Sequence, residues 1–446
     1  MDIARKLAPQ GASQGVGASL GAHLPPPMPP DPPVRRALRT GPFGVLDVGS
    51  TKITCLIGRV DHDGQIRVLG WGMRQSRGVR GGGITDLEAA EHAVRGAVGD
   101  AETKADHRLR SVTVNLTCGL PESRLFNVQW PVGGRPVTEL DVRRVVQEGR
   151  SRAYFEGRET IHTLPLGFAV DGVPGVADPR GLHCDTLSAR LHVIDAASTA
   201  LRNIETTVLR CELEMSELVS APMAAGLSAL VEDERQLGAT VIDMGGGTTG
   251  IAVFSEGQLL HMAQIPVGGV HVTNDLARFL STPVADAERL KTVYGTAASS
   301  PDDEREILSV PLVGEEGHRF AKVPRSQLVK VIGPRLEETF ELIRDRIEAA
   351  GLAREAGTRV VLTGGASQLS GVREMAGRIL DRQIRLGRPV PLRGLADDVS
   401  GPGFATAAGL LSWASGIGRT LTDIDLSDDR PAGFMGRIVN FVRDRL

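Results

Sequence analysis

One succession of sequence signals occurs twice in this chain, first from Phe43 and again from Ala239. In each copy an apolar strand runs into a turn of the form Asp-x-Gly, and a second strand, a hairpin turn, a third strand and a helix follow. The predicted strands are the start of 43–52, then 53–60 and 65–71, and in the second copy 239–243, 251–254 and 259–265. Such a long internal repeat predicts an α/β fold built by duplication, with two similar domains facing each other across a cleft.

The helix that ends each copy also has a signal of its own. Residues 85–88 resemble a capping box, and apolar residues at helical spacing come after it. In the second copy the helix is led by Val272 and follows the loop 266–269. We therefore expect one helix to return after each three-stranded segment.

Residues 117–195 interrupt the first copy and carry strand and helix signals of their own. Residues 138–148 predict a helix that Gly149 stops, and residues 188–194 predict a strand. This segment is interpreted as an inserted small α+β subdomain. The expected organisation is a disordered Pro-rich arm (1–41), a first domain in three pieces (42–116, 196–236 and 387–416), the insert (117–195), a second domain (237–386), a linker (417–430) and a terminal helix (431–446).

Composition excludes several classes of protein. The formal net charge of -3 offers no basic face for nucleic acid, so no nucleic-acid partner is expected. The 4 cysteines are far apart in the sequence, which disfavours a disulfide framework or a structural zinc site and is typical of a reducing cytoplasm. No apolar run reaches the about 18 residues of a membrane-spanning helix, and the N-terminus lacks the apolar core of a signal peptide. The sequence predicts a cytoplasmic protein.

The first Asp-x-Gly turn has the residue types that a phosphate group needs. Gly49 lets the backbone approach closely, and the amides and hydroxyls of Ser50 and Thr51 can donate to phosphate oxygens. Lys52 adds a positive charge. Asp47, at the strand end, can hold a hydrated cation, because Mg²⁺ prefers carboxylate and water ligands. Taken alone, the segment is explained equally well by an ordinary Asp-Gly hairpin turn.

The second turn follows Asp243 and is more specific. Residues 245–250 also satisfy GxGxxG, the dinucleotide fingerprint, but that motif requires a helix directly after the turn. Residues 251–254 predict a strand instead, so a Rossmann site is not favoured. Two turns that clamp the phosphates of one ligand explain both segments. The phosphate-binding residues predicted in this turn are Gly245, Gly246, Gly247, Thr248 and Thr249.

Two further segments complete a predicted nucleotide site. A buried strand at 360–363 leads into the turn Gly364, Gly365 and Ala366, whose small residues would let a base or sugar lie against the backbone. A simple connecting loop between a strand and a helix is the alternative for this segment. Glu288 and Lys291 are spaced i and i+3 on a predicted helix, so they share a face and could grip ribose and adenine edges. A solvated surface ion pair is the alternative for that pair.

The last residues predict an amphipathic helix. At about 1.5 Å per residue it would be about 20–24 Å long, too short to span about 30 Å of hydrocarbon but suited to lying in a membrane interface. A helix packed on its own domain is the alternative. The residues predicted to contact lipid are Phe434, Met435, Ile438, Val439, Phe441, Val442, Arg443, Arg445 and Leu446.

The phosphate turns, the turn at Gly364 and the segment 401–411 together resemble the actin superfamily over roughly residues 43 to 415. Within it, segments 82–88, 232–238 and 405–411 are similar to the FtsA family of bacterial cell-division proteins. This resemblance implies duplicated actin-like (ribonuclease H-like) domains around a nucleotide cleft. The insert at 117–195 occupies the place of that family's distinctive extra subdomain.

The resemblance also implies a function. ATP and Mg²⁺ would bind in the cleft, with Asp47 and Asp243 organising the cation through water. Partners would be the C-terminal tail of FtsZ, other proteins of the division machinery (the divisome), further copies of the chain in an actin-like filament, and an anionic membrane surface. The protein would act at the cytoplasmic face of the inner membrane at the division site, where it would tether FtsZ filaments.

One position departs from the pattern of the hydrolysing relatives. They often carry a Gln or Glu that orients the attacking water just before a run of small residues, and here that place holds Ala221. We therefore expect ATP binding with weak or no hydrolysis. Two alternatives stay open at this point: a pilus-assembly protein of the same fold, which would not need a tethered terminal helix, and a sugar kinase, for which no convincing catalytic Asp is present in the first domain.

Overall fold

A computed structural model describes residues 41–314, 320–352 and 354–417 of the chain. The predicted Pro-rich arm, linker and terminal helix lie outside the described residues, apart from Gly41 and Ile417 at their edges. The same holds for every residue predicted to contact lipid. Among the described residues, no helix is both long and apolar enough to cross a membrane.

Strands and α-helices are interspersed along the whole described part of the chain. In chain order, the strands are β1 (Phe43–Val48), β2 (Lys52–Val60), β3 (Ile66–Gln75), β4 (Val79–Arg80), β5 (Gly83–Ile84), β6 (Ser111–Leu116), β7 (Glu122–Pro131), β8 (Arg158–Val170), β9 (Val173–Val176), β10 (Thr186–Ala197), β11 (Glu214–Ser220), β12 (Ala239–Met244), β13 (Thr249–Ser255), β14 (Gln258–Ile265), β15 (Ile307–Pro311), β16 (Phe320–Pro324), β17 (Arg359–Thr363) and β18 (Gln383–Leu386). The α-helices are α1 (Leu87–Ala105), α2 (Glu139–Arg152), α3 (Ser198–Arg210), α4 (Ala221–Ala229), α5 (Glu232–Leu237), α6 (Gly269–Leu280), α7 (Val284–Tyr294), α8 (Ser326–Ala349), α9 (Val372–Leu380) and α10 (Ala405–Ser415).

The two largest sheets have the same topology. Their strand orders are β3-β2-β1-β6-β11 and β14-β13-β12-β17-β18. In each, the first three strands in sequence form an antiparallel meander, and the other two run parallel to the first strand. This shared order confirms the duplication that the repeated sequence pattern predicts.

The insert forms a separate sheet of order β7-β10-β8-β9, against which α2 packs. The strand predicted at 188–194 is part of β10. The predicted end of the helix at Gly149 is wrong, because α2 continues to Arg152. Gly149 is instead the position where helix and sheet come closest: a Cβ there would lie 2.0 Å from Leu191 Cδ1.

Two helices rich in small residues join the halves. Helix α10 packs against α4 and also against β1 and β2. At Gly409 an added Cβ would lie 1.7 Å from the carbonyl oxygen of Ala224, so the helix backbones are almost in contact. The surrounding core includes Val45 from the first sheet and Val241 from the second. The halves therefore share one apolar core beneath the cleft.

Two helix starts differ from the sequence prediction. Helix α1 is capped by Asp86, not Thr85, because the Asp86 carboxylate accepts the N–H of Ala89 at 3.1 Å. Helix α6 begins at Gly269, earlier than the predicted Val272. Its first amides already have acceptors in the second Asp-x-Gly turn, so this turn of helix can form without a side-chain cap.

Candidate functional site

The two Asp-x-Gly turns and the turn at Gly364 line one cavity of about 560 Å³. The turns come together because β1 and β12 each end beside a parallel neighbour, so their carboxyl ends meet at the mouth of the cleft. All the residues predicted from the sequence to bind nucleotide line this cavity. They are Asp47, Gly49, Ser50, Thr51, Lys52, Asp243, Gly245, Gly246, Gly247, Thr248, Thr249, Glu288, Lys291, Gly364, Gly365 and Ala366.

The first turn is closed by a hydrogen bond from the Gly49 amide to the Lys52 carbonyl at 3.1 Å. A Cβ at Gly49 would lie 2.8 Å from that same oxygen, so a side chain would force the turn open. The hydroxyl of Ser50 accepts the N–H of Gly82 at 3.0 Å. Gly82 also lines the cavity, which extends the first turn by a loop that the sequence signals do not assign to the site.

The second turn has the same closure, from the Gly245 amide to the Thr248 carbonyl at 2.9 Å. The carbonyl of Gly245 accepts the amide of Gly269 at 3.0 Å, and that of Gly246 accepts the amide of Val270 at 2.8 Å. Strand β13 follows the turn directly, which excludes a Rossmann arrangement here. The start of α6 is thus bonded to the turn.

The two turns touch each other across the cleft. A Cβ at Gly246 would lie 2.3 Å from Thr51 Cγ2, and one at Gly247 would lie 2.4 Å from Ser50 Oγ. The backbones of the two turns therefore approach each other closely across the cleft. Such an arrangement of amides and hydroxyls suits the oxygens of one polyphosphate chain.

Asp47 and Asp243 each receive one hydrogen bond from a part of the chain that is distant in sequence. Asn115, at the end of β6, donates from Nδ2 to Asp47 Oδ1 at 2.7 Å. Thr406, in the first turn of α10, donates from Oγ1 to Asp243 Oδ2 at 2.9 Å. These bonds fix one oxygen of each carboxylate, so each side chain is held in place before any ligand binds.

Burial dominates the electrostatics of the cleft. It raises the pKa of Asp47 to about 7, although Lys52 opposes the rise, and the nearby Asp243 adds to it. Burial also raises the pKa of Asp243 to about 6, against the hydrogen bond from Thr406 and the charge of Lys52. Burial lowers the pKa of Lys52 to about 8, and both carboxylates oppose that fall. An added cation would favour the ionised form of both carboxylates.

The donor set fits a hydrated Mg²⁺ better than a metal held by side chains alone. Within the described ranges, no group of three or more His, Cys, Asp or Glu side chains could enclose a metal ion. Two carboxylates beside a turn predicted to bind phosphate match the way Mg²⁺ keeps several waters and takes its remaining ligands from carboxylates and phosphates. Asp47 and Asp243 are the residues that would hold it, as the sequence predicts.

The turn at Gly364 is shaped by close backbone contacts. Gly364 has φ 85°, and an added Cβ would lie 2.4 Å from the Met244 carbonyl oxygen, so only glycine fits. Its amide donates to the Pro402 carbonyl at 3.1 Å. A short 3-10 turn, Gly365–Gln368, follows, and α9 starts at Val372.

Glu288 and Lys291 share one face of α7 as predicted, but their surroundings differ. Lys291 is only 14% exposed, and its ammonium donates to Glu288 Oε2 at 2.7 Å, Thr273 Oγ1 at 2.9 Å and the Gly269 carbonyl at 3.1 Å. These bonds tie α7 to the start of α6. The Glu288 side chain is 50% exposed at the cavity wall. The geometry favours Glu288 as the ligand contact and Lys291 as its support.

Several cavity residues were missed from the sequence. The polar Asn115 within an apolar strand was a usable signal. Gln264 has no local sequence signal. Its Nε2 donates to the Thr117 carbonyl at 2.7 Å and so joins β14 of the second half to the residue that follows β6. Thr406 also lines the cavity without any local sequence signal, because the sequence does not show that the start of α10 reaches the cleft.

Comparison with known proteins agrees with this architecture. The family model for the cell division protein FtsA matches residues 240–409, and the model for the SHS2 domain inserted in FtsA matches residues 119–195. The cell division protein FtsA of Rhizobium meliloti (strain 1021) is 44% identical over 384 residues, which cover 84% of this chain and 87% of that protein.

Solved structures show the same fold at low sequence identity. The PilM–PilN type IV pilus biogenesis complex matches with a TM-score of 0.61 at 17% identity, covering 86% of this chain and 99% of that one. MreB5 of Spiroplasma citri bound to ADP matches with a TM-score of 0.50 at 15% identity, covering 88% of this chain and 99% of that one. The predicted fold class, duplicated actin-like domains with an inserted subdomain, is confirmed.

Proposed function

We propose, because this chain belongs to the family of the cell division protein FtsA, that it binds ATP with Mg²⁺ in the cleft and tethers FtsZ filaments to the cytoplasmic face of the membrane at the division site. Further copies of the chain, other divisome proteins and an anionic membrane surface are its other proposed partners. The geometry of the cleft supports the nucleotide part of this proposal. Family membership and the amphipathic sequence pattern at 431–446 support the tether.

The observation that carries the nucleotide proposal is the meeting of two glycine turns and two buried carboxylates in one cavity. The amides and hydroxyls of the turns would bind the phosphates, and Lys52 would add a positive charge there. Asp47 and Asp243 would orient the waters of Mg²⁺, which supplies charge neutralisation to the phosphates when bound. The turn at Gly364 and the exposed Glu288 would hold the nucleoside. The ADP bound to the MreB5 structure gives further support.

The wall beside the phosphate turns supports slow or absent hydrolysis. Ala221 and Pro222 line the cavity there, and neither side chain can accept a proton from water. A Cβ at Gly250 would lie 2.3 Å from Pro222 Cγ, so a larger side chain at Gly250 has no room either. Rapid ATP turnover by the purified chain, lost on Asp243→Ala, would contradict this part of the proposal.

The test of nucleotide binding is an equilibrium titration of the full chain with a fluorescent ATP analogue and Mg²⁺. Asp243→Asn should weaken binding by about tenfold or more, since a charge-assisted contact to the hydrated cation is lost. The matched control is Asp275→Asn, which changes a partly buried ion pair with Arg335 outside the cavity. Saturable binding that both variants retain equally would refute the assigned cation role.

The test of the membrane tether is flotation on anionic vesicles. The full chain should float, and a chain ending at Arg430 should stay in solution. Val439→Asp puts a charge on the predicted apolar face and should abolish flotation, whereas Asn440→Asp adds the same charge to the polar face and should weaken it only slightly. Equal flotation of the full and shortened chains would favour the alternative in which the terminal helix packs on its own domain.

The partner proposal is tested on the same vesicles by adding FtsZ polymers. FtsZ should move to the vesicle fraction only when the full chain is present. FtsZ lacking its C-terminal tail should remain in solution. Recruitment of tail-less FtsZ would show that another surface of FtsZ is recognised.

A further inference from the structure

The short turn Pro402–Phe404 and the first residues of α10 touch all three loops of the cleft. The Pro402 carbonyl accepts the Gly364 amide at 3.1 Å. Lys52 Nζ lies 3.2 Å from the centroid of the Phe404 ring. Thr406 Oγ1 donates to Asp243 Oδ2 at 2.9 Å. The segment from Pro402 to Thr406 thus contacts the first Asp-x-Gly turn, the end of β12 at the second Asp-x-Gly turn, and the turn at Gly364.

The Asp243 carboxylate lies between two parts that depend on this segment. Its Oδ2 receives the Thr406 hydroxyl, and its Oδ1 would be only 2.5 Å from a Cβ at Gly364. Gly364 is itself bonded to Pro402. Rotation of the carboxylate would break the bond to Thr406. The orientation of Asp243 is therefore set from outside its own strand.

We propose that Thr406 is a positioning residue for nucleotide bound with Mg²⁺: its hydroxyl holds the Asp243 carboxylate in the orientation that meets the waters of the cation. This rests on the proposed function. Thr406 is 7% exposed, so water does not easily replace its hydroxyl. Its backbone is fixed by α10, which is packed against α4 at Gly409. A hydrogen bond from a fixed donor to a carboxylate is among the stronger kinds in proteins.

Three substitutions separate the hydroxyl from the shape of the side chain. Thr406→Val keeps the branched shape and removes the donor, and Thr406→Ser keeps the donor and removes a methyl group. Thr240→Val is the matched control. Thr240 is also buried and lies on the same strand as Asp243, but it donates to the Ala356 carbonyl at 3.0 Å and does not line the cavity.

The measurement is the affinity of each full-length variant for a fluorescent ATP analogue, once with excess Mg²⁺ and once with EDTA. Thr406→Val should lose about tenfold in affinity with Mg²⁺, equivalent to about 1.4 kcal/mol, and should stay within about twofold of wild type in EDTA. Thr406→Ser should keep most of the affinity with Mg²⁺. Thr240→Val should match wild type in both conditions.

Each result has a defined meaning. If Thr406→Val binds like wild type with Mg²⁺, or if Thr406→Ser loses as much as Thr406→Val, the hydroxyl is not the positioning group and the proposal is wrong. If wild type itself shows no effect of Mg²⁺, the proposed function fails and takes this inference with it. Should thermal melting show that Thr406→Val does not fold, Thr406→Ala replaces it under the same criteria.

Discussion

At the scale of single residues, Asp47 combines its proposed role in cation binding with a cost in stability. Burial raises its pKa from 3.8 to about 7, so the folded protein holds this proton more tightly than the unfolded chain does. The stability of the protein without ligand should therefore fall as pH rises from about 4 to about 7. A neutral side chain of the same shape would not show this loss.

We expect Asp47→Asn to raise the melting temperature at pH 8 by at least about 2 °C while weakening ATP binding with Mg²⁺. The gain over wild type should grow between pH 5 and pH 7 and then level off, because in that range folded wild type holds a proton at Asp47 that the unfolded chain has lost. Thermal melting at several pH values without nucleotide measures it. Asp100→Asn, at a carboxylate that is 36% exposed, is the control and should show no growing gain. A gain that is independent of pH would contradict the assigned cause.

The sequence was most informative about residues that act within one turn. The glycines and carboxylates of the two Asp-x-Gly turns follow from local chemistry, because a tight turn that approaches phosphate needs those residue types. Asn115 and Thr406 could not be assigned in the same way. Asn115 is 68 positions from Asp47 and Thr406 is 163 positions from Asp243, so their bonds depend on how distant strands and helices pack.

At the scale of elements, two helical glycines have opposite roles. Gly149 lies in α2 where a Cβ would meet Leu191 at 2.0 Å, whereas Gly99 in α1 has no atom within 4 Å of an added Cβ. Alanine favours a helix over glycine by about 0.5–1 kcal/mol. This helix preference should determine the change in unfolding free energy only where the methyl group of the new alanine has room.

Gly149→Ala should therefore destabilise the protein by about 1–3 kcal/mol, because the clash with Leu191 outweighs the helix preference. Gly99→Ala should stabilise it by about 0.5–1 kcal/mol. Urea unfolding followed by circular dichroism gives both values. If the two substitutions shift the unfolding midpoint in the same direction, the close packing of α2 on its sheet is not the determining factor.

Element types were predictable from the sequence, and element ends were not. Alternation and apolar runs identified the strands of both copies, since burial of one or both sheet faces leaves that pattern. The sequence pattern places the start of α6 too late, because the first amides of the helix bond to carbonyls of the second turn. The end of α2 was misplaced because Gly149 is required by packing and does not terminate the helix.

At the scale of the whole molecule, the insert is bonded to the second half through a buried histidine. His192 Nε2 is 2.5 Å from Ser123 Oγ within the insert, and its Nδ1 is 2.8 Å from the Leu259 carbonyl of β14. Ser123 Oγ also accepts the Met262 amide at 3.2 Å. Burial lowers the pKa of His192 from 6.5 to about 3.

This junction should lose stability in acid. Below about pH 6.5 the unfolded chain binds a proton at His192 that the folded protein does not bind, so stability is complete above that pH and falls below it, by up to about 1.4 kcal/mol per pH unit. His192→Gln should flatten part of this decline between pH 6.5 and pH 5, whatever its effect at pH 8. Thermal melting against pH measures the slope. His92→Gln, at an exposed site, should leave the slope unchanged.

The duplication and the insert were predictable because each leaves a continuous trace along the chain. The hydrogen bond between the insert and β14 could not be predicted from the sequence. Ser123 and Met262 are 139 positions apart, and no local pattern marks either residue. The shared core between α4 and α10 could not be predicted either. Small residues indicate a close helix contact, but they do not identify the partner helix.

Helix α10 has one end in the cleft and the other at the last described residues. Its first turn holds Asp243 through Thr406, and the chain reaches Ile417 just after its final turn. A force applied to the chain beyond Ile417 would therefore act on the end of a helix whose first turn orients a cleft carboxylate. If the proposed membrane anchor and polymer binding hold, mechanical load on the chain beyond Ile417 and nucleotide affinity would be coupled through α10.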